Sequence, residues 1–324
     1  MGDDTLGAVG EDGLVASVLA RYGPSPASVR VGPGDDAAVL ALDGPVVVST
    51  DTLVEGHDFR RDWSTGHDVG VKTAAQNLAD VAAMGARPVA LLVSLAAPAH
   101  LPAAFARDLA DGLADECARA GAAVVGGDVS AASEVVVTGT ALGVLEGGRT
   151  AVLRSGARPG DVVALAGATG PSAAGLALLL AGDLPDDAAA RAAVRAHLAP
   201  RPPYPAGPAA AAAGATALID TSDGLLRDAG RLAAASGVVL DLDPDALPPG
   251  DGLDAVATLL GAAPGRAQEW VLAGGEDHAL LACFPAGAAL PGPFRPVGQV
   301  LAGAPGVLVG GRPWTGPTGW HHFT

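Results

Sequence analysis

The residues of this chain best suited to chemistry are carboxylates in short, Gly-rich settings. VGPGDDAAVL (31–40) sets Asp35 beside Asp36, and acids recur in STDTLVEG (49–56), NLAD (77–80), GGD (126–128), DTSDGL (220–225) and GGED (274–277). Adjacent carboxylates repel, and burying one costs on the order of several kcal/mol unless a cation or a set of donors compensates it. Gly, Pro and Asp are also ordinary turn residues, so for any single segment a solvated turn is the simpler reading. As a set they offer many hard oxygens with few His or Cys. That is the donor chemistry of Mg²⁺, which bridges carboxylates to phosphates.

Other site types find little support. Seven histidines occur without HExxH spacing, and His321-His322 are adjacent, a poor arrangement for two ligands of one Zn²⁺. No GxxxxGK[ST] loop is present, and Lys72, the only lysine, is not in a Gly loop. If phosphate is handled, metals and backbone amides must supply the positive field. GATGPS (167–172), ahead of a helical stretch, offers such amides.

The elements that must position these acids are short apolar runs alternating with Ala-rich periodic stretches. PVVVS (45–49), VALLVSL (89–95), EVVVTGTALGVL (134–145), DVVALAG (161–167) and GVVLDL (237–242) read as strands. Residues 101–121 and 186–198 read as amphipathic helices. The alternation predicts an α/β protein with sheets covered by helices. In VGVKTAAQNLADVAAMGARP, Val71, Ala74, Leu78, Val81 and Ala82 mark an apolar face, while Lys72, Gln76 and Asp80 fall four apart on another. Such a stripe is either a solvated charge ladder or a face turned toward a site. LAPRPPYPAGP (198–208) is too rich in proline for a helix or central strand and is expected to be a surface or cleft loop.

A chain of 324 residues is long enough for two cores. The polar break RSGARPGD (154–161) divides it into domains over 1–150 and 151–324. The net charge of −16 argues against a nucleic-acid or anionic-membrane partner. Cys117 and Cys283 lie far apart without CxxC spacing and read as buried, reduced thiols. Residues 162–182 carry no charge, but their Gly/Pro turn makes them strand, turn and helix rather than a membrane span. With no secretory signal at the N-terminus, a cytoplasmic location is expected.

Taken in order, GDDAA, STDTLVEG, the K-N-D helix ending AAMGARP, GGD, RSGARPGD, the Gly-rich turn with SAAGL, DTSDGL and GGED resemble the thiamine-monophosphate kinase family. That family belongs to the aminoimidazole ribonucleotide synthetase-like superfamily. The resemblance runs from about residue 30 to the C-terminal GWHHF. It implies a two-domain fold: an N-terminal sheet that forms a barrel in a homodimer and carries ATP and Mg²⁺, and a C-terminal α/β domain that completes the substrate site. The implied reaction is transfer of the γ-phosphoryl of ATP to thiamine monophosphate, giving thiamine diphosphate.

By the same resemblance, Asp35, Asp36, Ser49, Thr50, Asp51, Asp80, Asp128, Asp220 and Asp223 match positions that hold several Mg²⁺ ions. Of these, Asp36, Asp51, Asp80, Asp128 and Asp220 are the expected catalytic set. Gly127, Asp128, Arg154 and Ser222 match positions that contact ATP, and Glu276 and Trp320 match positions that contact the thiamine moiety. The family usually has His immediately before the Phe of the DTLVEG segment. Here the order is His57-Asp58-Phe59, which leaves the substrate contact between His57 and Asp58. Val129 follows GGD where Thr is common, Pro171 replaces an acid in the Gly-rich turn, and His278 stands where Tyr usually follows GGED. Two other readings stay open at this point. One is another ATP-dependent member of the superfamily, such as a phosphoribosylformylglycinamidine cyclo-ligase; the other is a catalytically silent ligand-binding homologue.

Overall fold

The computed structural model describes residues 4–182 and 185–320. His321-His322 and the end of the GWHHF match lie outside the described residues. The chain forms two compact units, one of residues 1–81 and 86–148, the other of 82–85 and 149–324.

The first unit runs α1 (Leu6–Leu19), β1 (Val29–Val31), β2 (Val39–Leu40), β3 (Val46–Val54), α2 (Gly66–Ala83), β4 (Arg87–Ala97), α3 (Ala103–Ala120), β5 (Ala123–Ala131) and β6 (Val136–Val144). β3 to β6 form a four-stranded sheet in the order β3-β6-β4-β5. β4 and β5 pair in parallel across α3, while β6 is antiparallel to both of its neighbours. Within one chain this sheet is open, with β3 and β5 at its edges, so the barrel implied by the resemblance is not closed here.

β3 extends further than the apolar run PVVVS indicated. Thr52, Leu53 and Val54 are good strand formers, and the register continues unbroken to Val54↔Val136, so Asp51 lies within the strand rather than at its end. Asp128 likewise lies within β5. Side chains alternate along β3: Val46, Val48, Thr50 and Thr52 are exposed, while Ser49 and Asp51 are half-buried and Leu53 is buried.

α2 settles the choice between a solvated ladder and an inward stripe. Of the polar stripe, Lys72 is buried and Gln76 and Asp80 are half-buried, and the neighbouring Thr73 and Asn77 are buried too, so the stripe is not a fully solvated ladder. α2 can lie this close to β6 because position 139 is glycine: a Cβ there would stand 2.4 Å from Asn77 Nδ2.

The second unit contains β7 (Val162–Ala166), α4 (Pro171–Ala181), α5 (Ala188–Leu198), α6 (Ala206–Ala212), β8 (Ala217–Asp220), α7 (Leu225–Ser236), β9 (Val239–Leu242), α8 (Gly250–Leu259), α9 (Arg266–Ala273), β10 (Leu280–Phe284), β11 (Arg295–Leu301), β12 (Gly306–Val309) and β13 (Arg312–Pro313). Its seven strands are ordered β13-β12-β9-β11-β7-β10-β8 and are antiparallel except for β9 and β12. Leu165, Leu178, Ile219, Leu232 and Leu281 lie in one core between this sheet and its helices. Residues 162–182 form strand, turn and helix, with Pro171 in the first turn of α4 and Gly182 as its left-handed cap. The proline-rich loop ends sooner than expected. Its last residues enter α6 at Ala206, because a proline preceding a helix is compatible with its first turn.

Cys117 and Cys283 are buried free thiols, and burial pushes Cys283 up to about 12. Among the described residues no helix is long and apolar enough to cross a membrane.

Candidate active site

The acids of the first unit gather where α2 lies against β3. Ser49 Oγ donates to Asp80 Oδ2 at 2.7 Å, joining strand to helix. Two residues on, Asn77 Oδ1 accepts the Asp51 backbone N–H at 2.9 Å, and Asn77 Nδ2 donates to the Thr73 carbonyl at 2.9 Å. Ser49, Asp51, Asn77 and Asp80 thus share one side of β3. Thr50 does not: its hydroxyl bonds the Gly139 carbonyl at 2.8 Å and lies 3.0 Å from Thr140 Oγ1 on the exposed side.

Asp128 pairs in register with Ser94 and accepts from Ser130 Oγ at 2.8 Å, with its carboxylate exposed. Gly127 precedes it on β5, opposite Val93. Asp35 and Asp36 are both exposed in the loop before β2, where Asp35 Oδ1 accepts the Asp36 N–H at 2.9 Å. Their crowding is therefore relieved by water and a local turn bond. His57 and Asp58 differ in availability. Asp58 Oδ2 accepts the Val54 N–H at 2.8 Å and the Asp58 carbonyl accepts from Lys72 Nζ at 3.2 Å, which makes Asp58 part of the loop's frame, whereas His57 is exposed.

In the second unit, β8 delivers Asp220 into a buried position, where Oδ2 lies 3.2 Å from His278 Nδ1. The DTSDGL and GGED segments are laced by their backbones. Glu276 N–H donates to the Ser222 carbonyl at 2.7 Å, His278 N–H to the Thr221 carbonyl at 3.1 Å, and Ala279 N–H to Thr221 Oγ1 at 3.0 Å. Trp320 N–H donates to the Asp223 carbonyl at 2.9 Å, so the C-terminal aromatic is pinned beside the same loop. Gly319 makes that approach possible. Its φ is 149°, and a Cβ there would come within 2.4 Å of the Asp223 carbonyl oxygen. Trp320 is 60% exposed, which rules out the buried plug that an aromatic residue often forms. Arg154 is exposed, and its carbonyl accepts from Ser236 Oγ.

A buried carboxylate that no motif singled out, Asp228 on α7, stands beside Asp223. Asp223 accepts from Arg227 Nε at 3.1 Å and from Arg231, so two guanidinium groups already neutralise it. Asp228, buried, accepts the N–H groups of Asp223 and Gly224 at 3.0 and 3.1 Å and is paired with Arg231 at 2.6 Å. Burial, and then the nearby Asp220 charge, push Asp228 up to about 7. The spacing of Asp228 and Arg231 on one helix face was the available clue.

Two amides of the Gly-rich turn are already taken. Asp277 Oδ2 accepts the Gly170 N–H at 2.6 Å and Oδ1 the Ser172 N–H at 2.9 Å, so a protein carboxylate fills the anion position at the start of α4. Burial raises Asp277 to about 7 against those two bonds. The substitution of Pro171 for an acid fits a turn whose carboxylate arrives from the GGED loop instead. A cleft of about 270 Å³ on this turn, lined mainly by Ala, Pro and Leu side chains with Thr169 and Arg295, includes none of the acids.

Among the described residues no three His, Cys, Asp or Glu side chains converge as a closed metal cage. The acids stand instead singly or in pairs with hydroxyls and amides, a hard-oxygen donor set. Mg²⁺ characteristically binds such sites through one or two carboxylates while substrate phosphates supply other ligands.

The AIR synthase related protein N-terminal domain matches residues 34–145, and the AIR synthase related protein C-terminal domain matches residues 158–309. The chain is 51% identical over 321 residues to a thiamine-monophosphate kinase of Mycobacterium tuberculosis strain H37Rv, covering 98% of this chain and 93% of that protein. It is 36% identical over 280 residues to the thiamine-monophosphate kinase of Escherichia coli K12, covering 86% and 82%. Among solved structures, the thiamine-monophosphate kinase of Stenotrophomonas maltophilia K279a superposes with a TM-score of 0.79 at 30% identity over 93% of this chain and 95% of that one. A structure described as AaThiL complexed with AMPPCP and TMP superposes with a TM-score of 0.80 at 32% identity, covering 97% of both chains.

Proposed function

Since this chain belongs to the AIR synthase related family, and within it to the thiamine-monophosphate kinases, we propose that it transfers the γ-phosphoryl group of ATP to thiamine monophosphate, giving thiamine diphosphate. The observation that carries this reading is the 51% identity to a kinase of that activity over 98% of the chain. The acid motifs from Asp35 to Asp128 and from Asp220 to Glu276 also fall inside the two matched domains. The relative bound to AMPPCP and TMP supports ATP as co-substrate. We also assign the enzyme to the cytoplasm.

The acceptor is a phosphate whose second pKa lies near about 6, so it is largely ionised at neutral pH and needs no general base. The barrier to overcome is repulsion between two polyanions, worsened by a chain of net charge −16. Divalent ions, when bound, would supply the missing positive field. In the first unit we assign their ligands to Asp51, Asp80 and Asp128, with Ser49 and Asn77 fixing the first two. Asp35 and Asp36 are assigned to the same ions from their exposed loop. In the second unit we assign Asp220, held by His278, and Asp223, which must exchange Arg227 and Arg231 for a cation to serve as a ligand.

Glu276 and Trp320 flank Ser222 and Asp223 through backbone bonds. We assign them to the cationic thiazolium ring, one by charge and the other by its aromatic face. Of His57 and Asp58, we assign the further substrate contact to His57, because the Asp58 carboxylate is already committed. Gly127, Arg154 and Ser222 remain assigned to ATP. We also propose a homodimer, formed on the exposed face of the first unit's sheet, where Val46, Val48 and Leu92 are uncovered.

The decisive assay incubates the protein with ATP, Mg²⁺ and either thiamine monophosphate or thiamine, and separates the products by anion-exchange chromatography. Thiamine diphosphate formed from the monophosphate alone is the expected result. ATP binding without product from either acceptor would overturn the reading in favour of another ATP-dependent member of the superfamily, and no ATP binding at all in favour of a silent ligand-binding homologue.

A further inference from the structure

The GGED loop holds two non-glycine residues in the left-handed region, Glu276 at φ 64° and His278 at φ 52°. Each such residue costs about 1–2 kcal/mol, and strain of this kind persists only where surrounding interactions over-determine it. Part of that determination is Asp277, which ties the loop to the start of α4. A second tie comes from α5. His197, in its last turn and buried, places Nδ1 3.2 Å from Glu276 Oε2 and 3.1 Å from Ser172 Oγ. A carboxylate can only accept, so Nδ1 must carry the proton in this contact, and Ser172 Oγ can share it as a second acceptor.

The result is a buried donor aimed at a carboxylate that remains 36% exposed. One Glu276 oxygen is anchored inside the protein while the group still reaches solvent. This is how a scaffold fixes a binding carboxylate that would otherwise sample several rotamers at an entropic cost.

We propose that His197 is a positioning residue for the acceptor: through its Nδ1–H it orients Glu276, and with Ser172 it couples that carboxylate to the Gly-rich turn. The inference rests on the reading that Glu276 meets the thiazolium ring. His197→Leu keeps the volume and removes the donor. It should raise KM for thiamine monophosphate about tenfold, the order expected when the partner that orients a binding carboxylate is lost. KM for ATP should stay within about twofold. His197→Asn, whose Nδ2 can replace Nδ1–H, should restore most of the acceptor affinity. In a Glu276→Gln background the further effect of His197→Leu should vanish, because both act through one carboxylate.

If Glu276→Gln weakens acceptor binding but His197→Leu does not, the positioning inference fails and the acceptor reading stands. If Glu276→Gln has no effect, both fail. An undiminished His197→Leu effect in the Glu276→Gln background also overturns the inference, since His197 would then act elsewhere. Should His197→Leu not fold, ¹⁵N-histidine spectra of the otherwise unsubstituted protein decide. A protonated Nδ1 whose resonance moves on Glu276→Gln supports the inference; an unprotonated or unmoved Nδ1 overturns it.

Discussion

Asn77 on α2 holds Asp51 on β3 by its backbone, Oδ1 to N–H at 2.9 Å, and it does so across a gap that only glycine at position 139 leaves open. The carboxylate of Asp51 is therefore aimed by the strand, and the strand by a buried amide. Asn77→Ala leaves a part-buried N–H without that acceptor and should cost about 1–3 kcal/mol. Gly139→Ala, which drives a methyl into the same amide, should cost a similar amount, about 1–3 kcal/mol, by overpacking. Denaturant midpoints at unchanged m-value would confirm both. A double variant should lose less than the sum, because the amide that the methyl strikes is gone.

Asp80→Asn separates folding from chemistry. An asparagine Oδ1 can still accept from Ser49 Oγ, so the melting temperature should stay within about 3 °C. Loss of the charge should cut turnover at least about a hundredfold, the several kcal/mol expected when a phosphoryl-transfer metal site loses a ligand. Titration with Mg²⁺ should show a raised half-saturation concentration. Unchanged turnover with an unchanged Mg²⁺ requirement would remove Asp80 from the metal set.

Much of this arrangement was legible in the sequence because it is local. The strands at 89–95 and 161–167, the helices at 101–121 and 186–198, and the turn before α4 follow from apolar periodicity and from Gly and Pro placement. The limits appear where a tertiary partner decides. Nothing local says that the amides of Gly170 and Ser172 are filled by Asp277, more than a hundred residues away. Nor does the pattern of polar residues on α2 reveal that Lys72 and Asn77 face protein rather than water. The acids themselves were found by residue type, and their roles by resemblance. Asp228 and His197 were missed because a single buried polar residue looks, in sequence, like any other helical polar residue.

Trp320 tests the acceptor site from its exposed side. Trp320 is 60% exposed, and its backbone is pinned to Asp223, so Trp320→Ala should change stability by no more than about 0.5 kcal/mol. Losing the aromatic face should raise KM for thiamine monophosphate about tenfold, as a cation–π contact of about 1–2 kcal/mol implies. Trp320→Phe should recover part of that loss. Steady-state kinetics with each substrate varied would distinguish this from a nucleotide effect, which would raise KM for ATP instead.

Asp277 gives the second unit a pH dependence of known sign. Burial lifts its carboxyl from the usual 3.8 to about 7, so the folded state holds a proton that the unfolded chain has already released. The protonated form contributes stability that is fully present below pH 3.8 and is lost as pH rises through about 7. Asp277→Asn removes this titration while retaining an acceptor for one of the two amides of the α4 turn. The melting temperature of the Asp277→Asn variant should therefore climb relative to the unsubstituted protein between about pH 4 and pH 8, in step with that deprotonation. A constant difference over that range would mean that the two amide bonds hold Asp277 ionised throughout, and that their pull on the carboxylate outweighs its burial.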